Sequence, residues 1–216
     1  MQRIMDIRSA MQLYAVTDRA WTGEQTLMQQ VEAALKGGVT MVQLREKTLD
    51  RESFFEEALE MRRLCGRYGV PFIVNDDVEI AIACGADGVH VGQSDLEAGK
   101  ARKLLGKSRI IGVTAKTPEQ ARAAEAAGAD YLGCGAMFAT STKPDALNIT
   151  YAQLAEVCAS VSIPVVAIGG ITAENMPTLK GCGAAGAALV SAIFSARDIE
   201  AECRMLKGLT AEVFLK

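Results

Sequence analysis

The sequence predicts a closed (β/α)8 barrel, and three observations predict it. Short apolar runs recur at 13–16, 41–44, 72–74, 88–91, 110–113, 131–134, 165–168 and 187–190. They are near-continuously apolar, without apolar/polar alternation, as parallel strands covered on both faces require. Amphipathic helical patterns lie between them, and Gly38-Val39, Gly85-Ala86, Gly128-Ala129 and Gly183-Ala184 precede strands two, four, six and eight. A glycine at a helix C-terminus followed by a small residue suits a tight αβ junction, and its recurrence argues for stacked βα units. Eight such units close most naturally into a barrel. An open doubly wound sheet usually has fewer strands and a Gly-rich loop after the first, and the Tyr14-Ala-Val-Thr-Asp18 stretch offers none.

In chain order, residues 1–11 read as a lead-in to a single domain spanning 1–216. The clearest helix falls at 50–65, with Asp50 as N-cap. Phe54, Ala58, Met61 and Cys65 share one face, with Glu56, Glu57, Arg62 and Arg63 on the other. Gly66, Gly69 and Pro71 should end it. Thr117-Pro118-Glu119-Gln120 marks another start, with Thr117 as cap, Pro118 at the first helical position and Gln120 reaching back; Gly128 ends that helix. Thr172 before Ala173, Glu174 and Asn175 signals a third helix, limited by Pro177.

Composition narrows the function. Lys plus Arg number 23 against 26 Asp plus Glu, a net charge of -3, without the basic excess of a general nucleic-acid binder. The six cysteines contain no C-x-x-C pair, and the single histidine, His90, has none at ligand spacing. Free thiols in a reducing cytosol are expected, and structural zinc is not. No apolar h-region opens the chain and no apolar run approaches membrane-spanning length, so a cytoplasmic protein with no membrane partner is expected. An exposed apolar helix face would allow a homo-oligomer.

In a barrel the chemistry lies just beyond the C-terminal strand ends, where this chain concentrates its polar residues. Asp76 and Asp95 follow neighbouring strands and could hold a Mg2+ that keeps several waters and a substrate phosphate, or each could cap the next helix. Arg45, Lys47 and Lys143 could balance a polyanion such as a diphosphate, or each could form a surface ion pair. Gly169-Gly170 and the turn at Ser191 suit a second anion site after strands seven and eight, although glycine pairs also make plain turns. Together they imply a diphosphate and a monophosphate in one pocket.

The segments Tyr14-Ala-Val-Thr-Asp18, Gln43-Leu-Arg-Glu-Lys47, Asn75-Asp76, the run from Gly85 to Asp95, Gly128-Ala-Asp-Tyr-Leu-Gly133, Thr140-Ser-Thr-Lys-Pro-Asp145 and Ile163-Pro-Val-Val-Ala-Ile-Gly-Gly170 resemble the thiamine phosphate synthase family. They occur in family order over nearly the whole chain. The resemblance implies a Mg2+-assisted transferase with two small phosphorylated substrates. It would join 4-amino-5-hydroxymethyl-2-methylpyrimidine diphosphate to hydroxyethyl-methylthiazole phosphate and release pyrophosphate. It places Gln43, Arg45, Lys47, Asn75, Thr114 and Lys143 on the pyrimidine diphosphate, with Arg45, Lys47 and Lys143 as the catalytic cations. It places Thr140, Ser141, Thr142, Gly170, Val190 and Ser191 on the thiazole phosphate, and Asp76 and Asp95 on Mg2+.

Two segments depart from the family pattern, one after strand three and one after strand five. Asp77 stands where an arginine is common and reads as the N-cap of the helix it begins. Thr114 and Lys116 stand where serine and histidine are frequent. That histidine is what a related thiazole tautomerase is expected to use, so Lys116 favours the synthase over the tautomerase or a regulatory relative. His90 reads as a packed, hydrogen-bonded residue. A sugar-phosphate isomerase would need a catalytic acid-base residue at a strand end, where Glu46 stands.

Overall fold

The computed structural model describes residues 6–92, 95–140, 142 and 147–215, with side chains in the helix beginning at Asp95 described from Ala98 onward. Its strands are β1 (Leu13–Val16), β2 (Met41–Leu44), β3 (Phe72–Asn75), β4 (Gly88–Val91), β5 (Ile110–Thr114), β6 (Tyr131–Cys134), β7 (Val165–Ile168) and β8 (Gly186–Leu189). They pair in parallel in chain order, and β8 returns to β1 to close the barrel. β3 and β5 run one residue further than the apolar runs indicate. β8 sits one residue earlier than 187–190, since Gly186 already pairs with Val166 while Val190 leaves the extended region to start a helix. Only glycine fits there: a Cβ on Gly186 would lie 2.0 Å from the Met11 carbonyl.

The helices are α1 (Ile7–Ala10), α2 (Leu27–Lys36), α3 (Arg51–Tyr68), α4 (Val78–Ala83), α5 (Asp95–Leu105), α6 (Pro118–Ala126), α7 (Tyr151–Ala159), α8 (Ser191–Phe194) and α9 (Ile199–Phe214). Asp50 caps α3 through the Ser53 amide and Thr117 caps α6 through the Gln120 amide, as expected. The Gln120 side chain reaches back to the amide of Lys116, one residue before the cap. Gly66 does not stop α3. One glycine costs a helix only about 1 kcal/mol, and the chain turns at Gly69, whose φ of 66° takes it out of the helix. The helix expected after Thr172 is replaced by a 3-10 turn at Met176–Leu179, because the Asn175 side chain accepts from the Thr172 amide (2.8 Å) and Pro177 follows.

Side chains alternate with the two-residue strand period. Leu13, Ala15, Phe72, Val74, Leu132 and Val165 belong to the core between strands and helices, whereas Tyr14, Val16, Ile73, Tyr131 and Val166 belong to a separate cluster inside the barrel. Ala10 and Met11 join the inner cluster, so these two residues plug the end of the barrel opposite the C-terminal strand ends.

A repeated ionic staple fastens alternate units at that plugged end. Asp87 accepts from the Phe72 amide (2.9 Å) and Asp130 from the Ile111 amide (2.7 Å). Arg62 of α3 bonds the Gly85 carbonyl and faces Asp87; Arg102 of α5 bonds the Gly128 carbonyl and Asp130. The Gly-Ala-Asp repeat is therefore both a helix stop and an acceptor for an amide at the start of an earlier strand, the first residue of β3 and the second of β5. At the opposite end Glu46, with a side chain only 4% exposed, bonds Arg19 and the amides of Lys47 and Thr48. Arg19 also binds Glu57 of α3.

Two outcomes follow. Asp130→Ala orphans the Ile111 amide, removes the carboxylate partner of Arg102 and lowers the unfolding free energy by about 2 kcal/mol. Adding Arg102→Ala then costs less than the sum of the single changes in urea titrations. Burial opposes the Glu46 charge, but the Thr48 amide, Arg19 and the other loop donors outweigh it and hold the carboxyl down to about 2. A folded pKa below the unfolded one stabilises fully above about 4.5, and the gain is lost as pH falls toward 2. The destabilisation by Glu46→Gln is accordingly larger at pH 7 than at pH 3.

Candidate active site

A cavity of about 380 Å3 opens at the C-terminal strand ends. Gln43, Arg45, Lys47, Asn75, Thr114, Thr140, Thr142, Gly170, Val190 and Ser191 all line it. Asp76 lines the same cavity. The structure thus brings together every sequence-predicted site residue that it describes. Ser141, Lys143 and the side chain of Asp95 lie outside the described residues.

The backbone explains the placement of Asp76. At φ 62° it sits in the left-handed region, which a carboxylate residue tolerates at a cost on the order of 1 kcal/mol. The bend is held by the Asp76 amide on the His90 carbonyl and the Asp77 amide on the Asn75 carbonyl, both 2.8 Å. The Asp76 carboxylate meets Lys47 Nζ at 2.8 Å, each about half exposed. Asp77 caps α4 through the Ile80 amide (2.8 Å) and faces Arg51, so its extra charge is absorbed by the helix start and an α3 arginine.

Arg45 is less exposed than Lys47. Its amide donates to Thr17 Oγ1 (3.0 Å) and its guanidinium meets Asp18 Oδ2 (3.3 Å). Lys116 also lines the cavity and donates from Nζ to the Leu147 carbonyl (3.2 Å). The sequence places Lys116 among the polar residues just beyond β5, without assigning it to a substrate; its position two residues after the strand brings it to the mouth. Arg45, Lys47 and Lys116 face a single described cavity carboxylate, Asp76, which leaves a mouth suited to anions.

Gly169 and Gly170 have φ of 97° and 65°. A Cβ on Gly170 would come within 2.4 Å of the Ala139 carbonyl oxygen, so the backbone passes closely under the segment after β6. The Asn175 side-chain amide donates to the Gly170 carbonyl (2.9 Å). Val190 begins α8 with no side-chain cap.

The floor is polar, which the apolar strand pattern did not reveal. Gln43 Nε2 donates to Tyr14 Oη (2.7 Å), Tyr14 Oη meets Tyr131 Oη (2.7 Å), Tyr131 Oη meets His90 Nδ1 (2.9 Å), and His90 Nε2 meets Thr114 Oγ1 (3.1 Å). Burial pushes His90 down to about 4, against a small opposing pull from Asp76, so the imidazole is neutral at neutral pH. Burial raises both phenols. Glu46 is spent on Arg19 and loop amides and does not line the cavity, so it is not placed to act as the acid-base residue of an isomerase.

Comparison with known proteins agrees with this geometry. The profile of the family described as thiamine monophosphate synthase matches residues 13–193. A thiamine-phosphate synthase of Ruminiclostridium cellulolyticum is 49% identical over 194 residues, covering 90% of this chain and 92% of that protein. One from Syntrophomonas wolfei is 46% identical over 204 residues, covering 94% and 98%. The solved thiamine phosphate pyrophosphorylase of Pyrococcus furiosus superposes with a TM-score of 0.87 at 35% identity, covering 96% of this chain and 99% of its own. With the profile spanning most of the barrel and these relatives matched nearly end to end, the chain belongs to the thiamine monophosphate synthase family.

Proposed function

We propose that this protein joins 4-amino-5-hydroxymethyl-2-methylpyrimidine diphosphate to hydroxyethyl-methylthiazole phosphate, giving thiamine phosphate and pyrophosphate. The observation that carries the reading is convergence. The residues proposed for the diphosphate (Gln43, Arg45, Lys47, Asn75, Thr114) and those proposed for the monophosphate (Thr140, Thr142, Gly170, Val190, Ser191) share one cavity in a chain of this family. Ser141 and Lys143 join these sets by resemblance alone. Whole-chain action as one domain, residence in the cytoplasm and any homo-oligomer belong to the same proposal. Among the described residues no helix is long and apolar enough to cross a membrane.

The reaction is a substitution at the methylene carbon. The C–O bond breaks with its electron pair leaving on pyrophosphate, the aminopyrimidine ring feeds density to the carbon, and the thiazole nitrogen forms the new C–N bond. No protein nucleophile is needed. Arg45, Lys47 and Lys143 offset charge developing on the departing oxygens. Gln43 and Thr114 orient the pyrimidine half, and Gly170 with Ser191 anchors the thiazole phosphate so that its nitrogen lies in line. Val16, Val166 and Ile168 on the cavity wall keep water from the electron-poor carbon.

The donor set fits a hydrated cation. Asp76 offers a half-exposed carboxylate at the mouth, and no group of three His, Cys, Asp or Glu that could hold a metal ion occurs among the described residues. One or two carboxylates are what Mg2+ takes when it keeps waters and phosphate oxygens as its other ligands, and Asp76 with Asp95 would hold it. When bound, Mg2+ supplies charge neutralisation for the pyrophosphate leaving group.

The test is a coupled assay of purified protein with both substrates and Mg2+. Thiamine phosphate and pyrophosphate form in equal amounts, and a chelator abolishes both. Asp76→Ala, Arg45→Ala and Lys143→Ala each lower kcat/KM about 100-fold or more, the scale of losing one preorganised charge at a developing anion. A folded protein that binds both substrates and makes neither product would overturn the assignment.

A further inference from the structure

The floor relay has two ends in the cavity and three members between them. Gln43 and Thr114 are the ends; Tyr14, Tyr131 and His90 lie between, Tyr14 and His90 also lining the cavity, with Tyr14 and Tyr131 1% and 0% exposed. Each phenol has one proton, and an uncharged imidazole has one N–H and one lone pair. These counts leave two complete arrangements. Either every bond points from Gln43 toward Thr114, or every bond points back. Any mixture either strands a proton without an acceptor or sets two oxygens lone pair to lone pair, and so loses a buried hydrogen bond at about 1–3 kcal/mol.

The structure has the Gln43 amide nitrogen donating to Tyr14. Tyr14 then donates to Tyr131, Tyr131 to His90 Nδ1, and His90 Nε2–H to Thr114 Oγ1. The cavity consequently sees the Thr114 hydroxyl as a donor and Gln43 Oε1 as an acceptor. The reverse arrangement would show a ligand lone pairs at Thr114 and N–H groups at Gln43. An anionic oxygen at Thr114 requires the forward direction.

We propose that Tyr14, Tyr131 and His90 are positioning residues whose directional hydrogen-bond relay couples the two ends of the pyrimidine site. An anion accepting from Thr114 thereby selects a ring that donates to Gln43. This rests on the proposed reaction for its substrate. It adds a rule that no contact residue supplies alone: a pyrimidine with an exocyclic amino donor and the same ring with an oxo group in its place are told apart partly from across the barrel. The packing supports a dedicated role. A Cβ on Gly112 would fall 2.1 Å from the Tyr131 ring, and one on Gly133 would meet His90 at 3.1 Å, so two strand glycines make room for the relay.

The test uses full-length protein and two variants that keep the ring and lose one proton, Tyr131→Phe and Tyr14→Phe. Calorimetry measures binding of inorganic pyrophosphate with and without 4-amino-2,5-dimethylpyrimidine or its 4-oxo analogue. In the unaltered protein the amino ring tightens pyrophosphate binding at least fivefold and the oxo ring does not; in both variants the difference falls below twofold. In turnover, Tyr131→Phe lowers kcat/KM for the pyrimidine diphosphate 10- to 100-fold and leaves KM for the thiazole phosphate within twofold, a split that general loosening of the barrel would not give. If either folded variant keeps the unaltered coupling, the relay is overturned. If the unaltered protein shows the coupling and makes no thiamine phosphate, the relay stands and the proposed reaction fails.

Discussion

Everything in this molecule depends on how a closed barrel of short parallel strands fills its own interior. Eight strands leave space only for side chains, and this chain fills much of it with two tyrosines. Tyr14 and Tyr131 meet edge to face with ring centroids 6.0 Å apart. Such bulk fits because β5 carries Gly112 opposite Tyr131. A buried phenol also needs a partner for its hydroxyl. Gln43 and His90 are those partners, and they lie on the side of the barrel where the cavity opens. Packing demand and site chemistry are thus met by the same residues.

Above this floor the mouth is organised by ion pairs of graded exposure. Glu46, itself buried, pairs with a partly exposed Arg19 and shapes the loop after β2, Arg45 with Asp18 lies partly covered, and Lys47 with Asp76 lies half in water. The grading matters because exposed pairs are worth at most about 1 kcal/mol. Lys47 and Asp76 can therefore exchange partners for a ligand at little cost, whereas Glu46 cannot leave its loop. A rigid acid beneath a labile acid and base keeps the cations in place yet available.

The strands were legible because burial on both faces imposes apolar runs, and the site residues because barrel topology sends each strand end to one mouth. What escaped had local causes. Gly66 reads as a helix stop from propensity alone, but α3 buries Leu64 and Cys65 and continues. Thr172 reads as a helix cap, but Asn175 captures its amide. Glu46 reads as an available catalytic acid because its partner, Arg19, lies on a different loop. Tyr14 and Tyr131 look like ordinary core in an apolar run, since hydrophobic periodicity gives the direction of a side chain and not the partner of its hydroxyl. The Gly-Ala-Asp repeat showed its glycine and hid the acceptor role of Asp87 and Asp130, which appears only when β3 and β5 are paired to their neighbours.

The two departures from the family pattern show which part of the site tolerates change. Asp77 adds a negative charge beside Asp76, and Lys116 puts an ammonium where an imidazole is frequent. Both are rim positions whose new charge finds a local partner. Asp77 takes an α4 amide and Arg51; Lys116 takes the Leu147 carbonyl. A substitution on the floor has less outlet, because each relay member both donates to one neighbour and accepts from another, and Tyr14 and Tyr131 are too deeply buried for water to replace a lost bond. Variation is therefore cheap where solvent can complete a hydrogen bond and costly where only Tyr14, Tyr131 or His90 can.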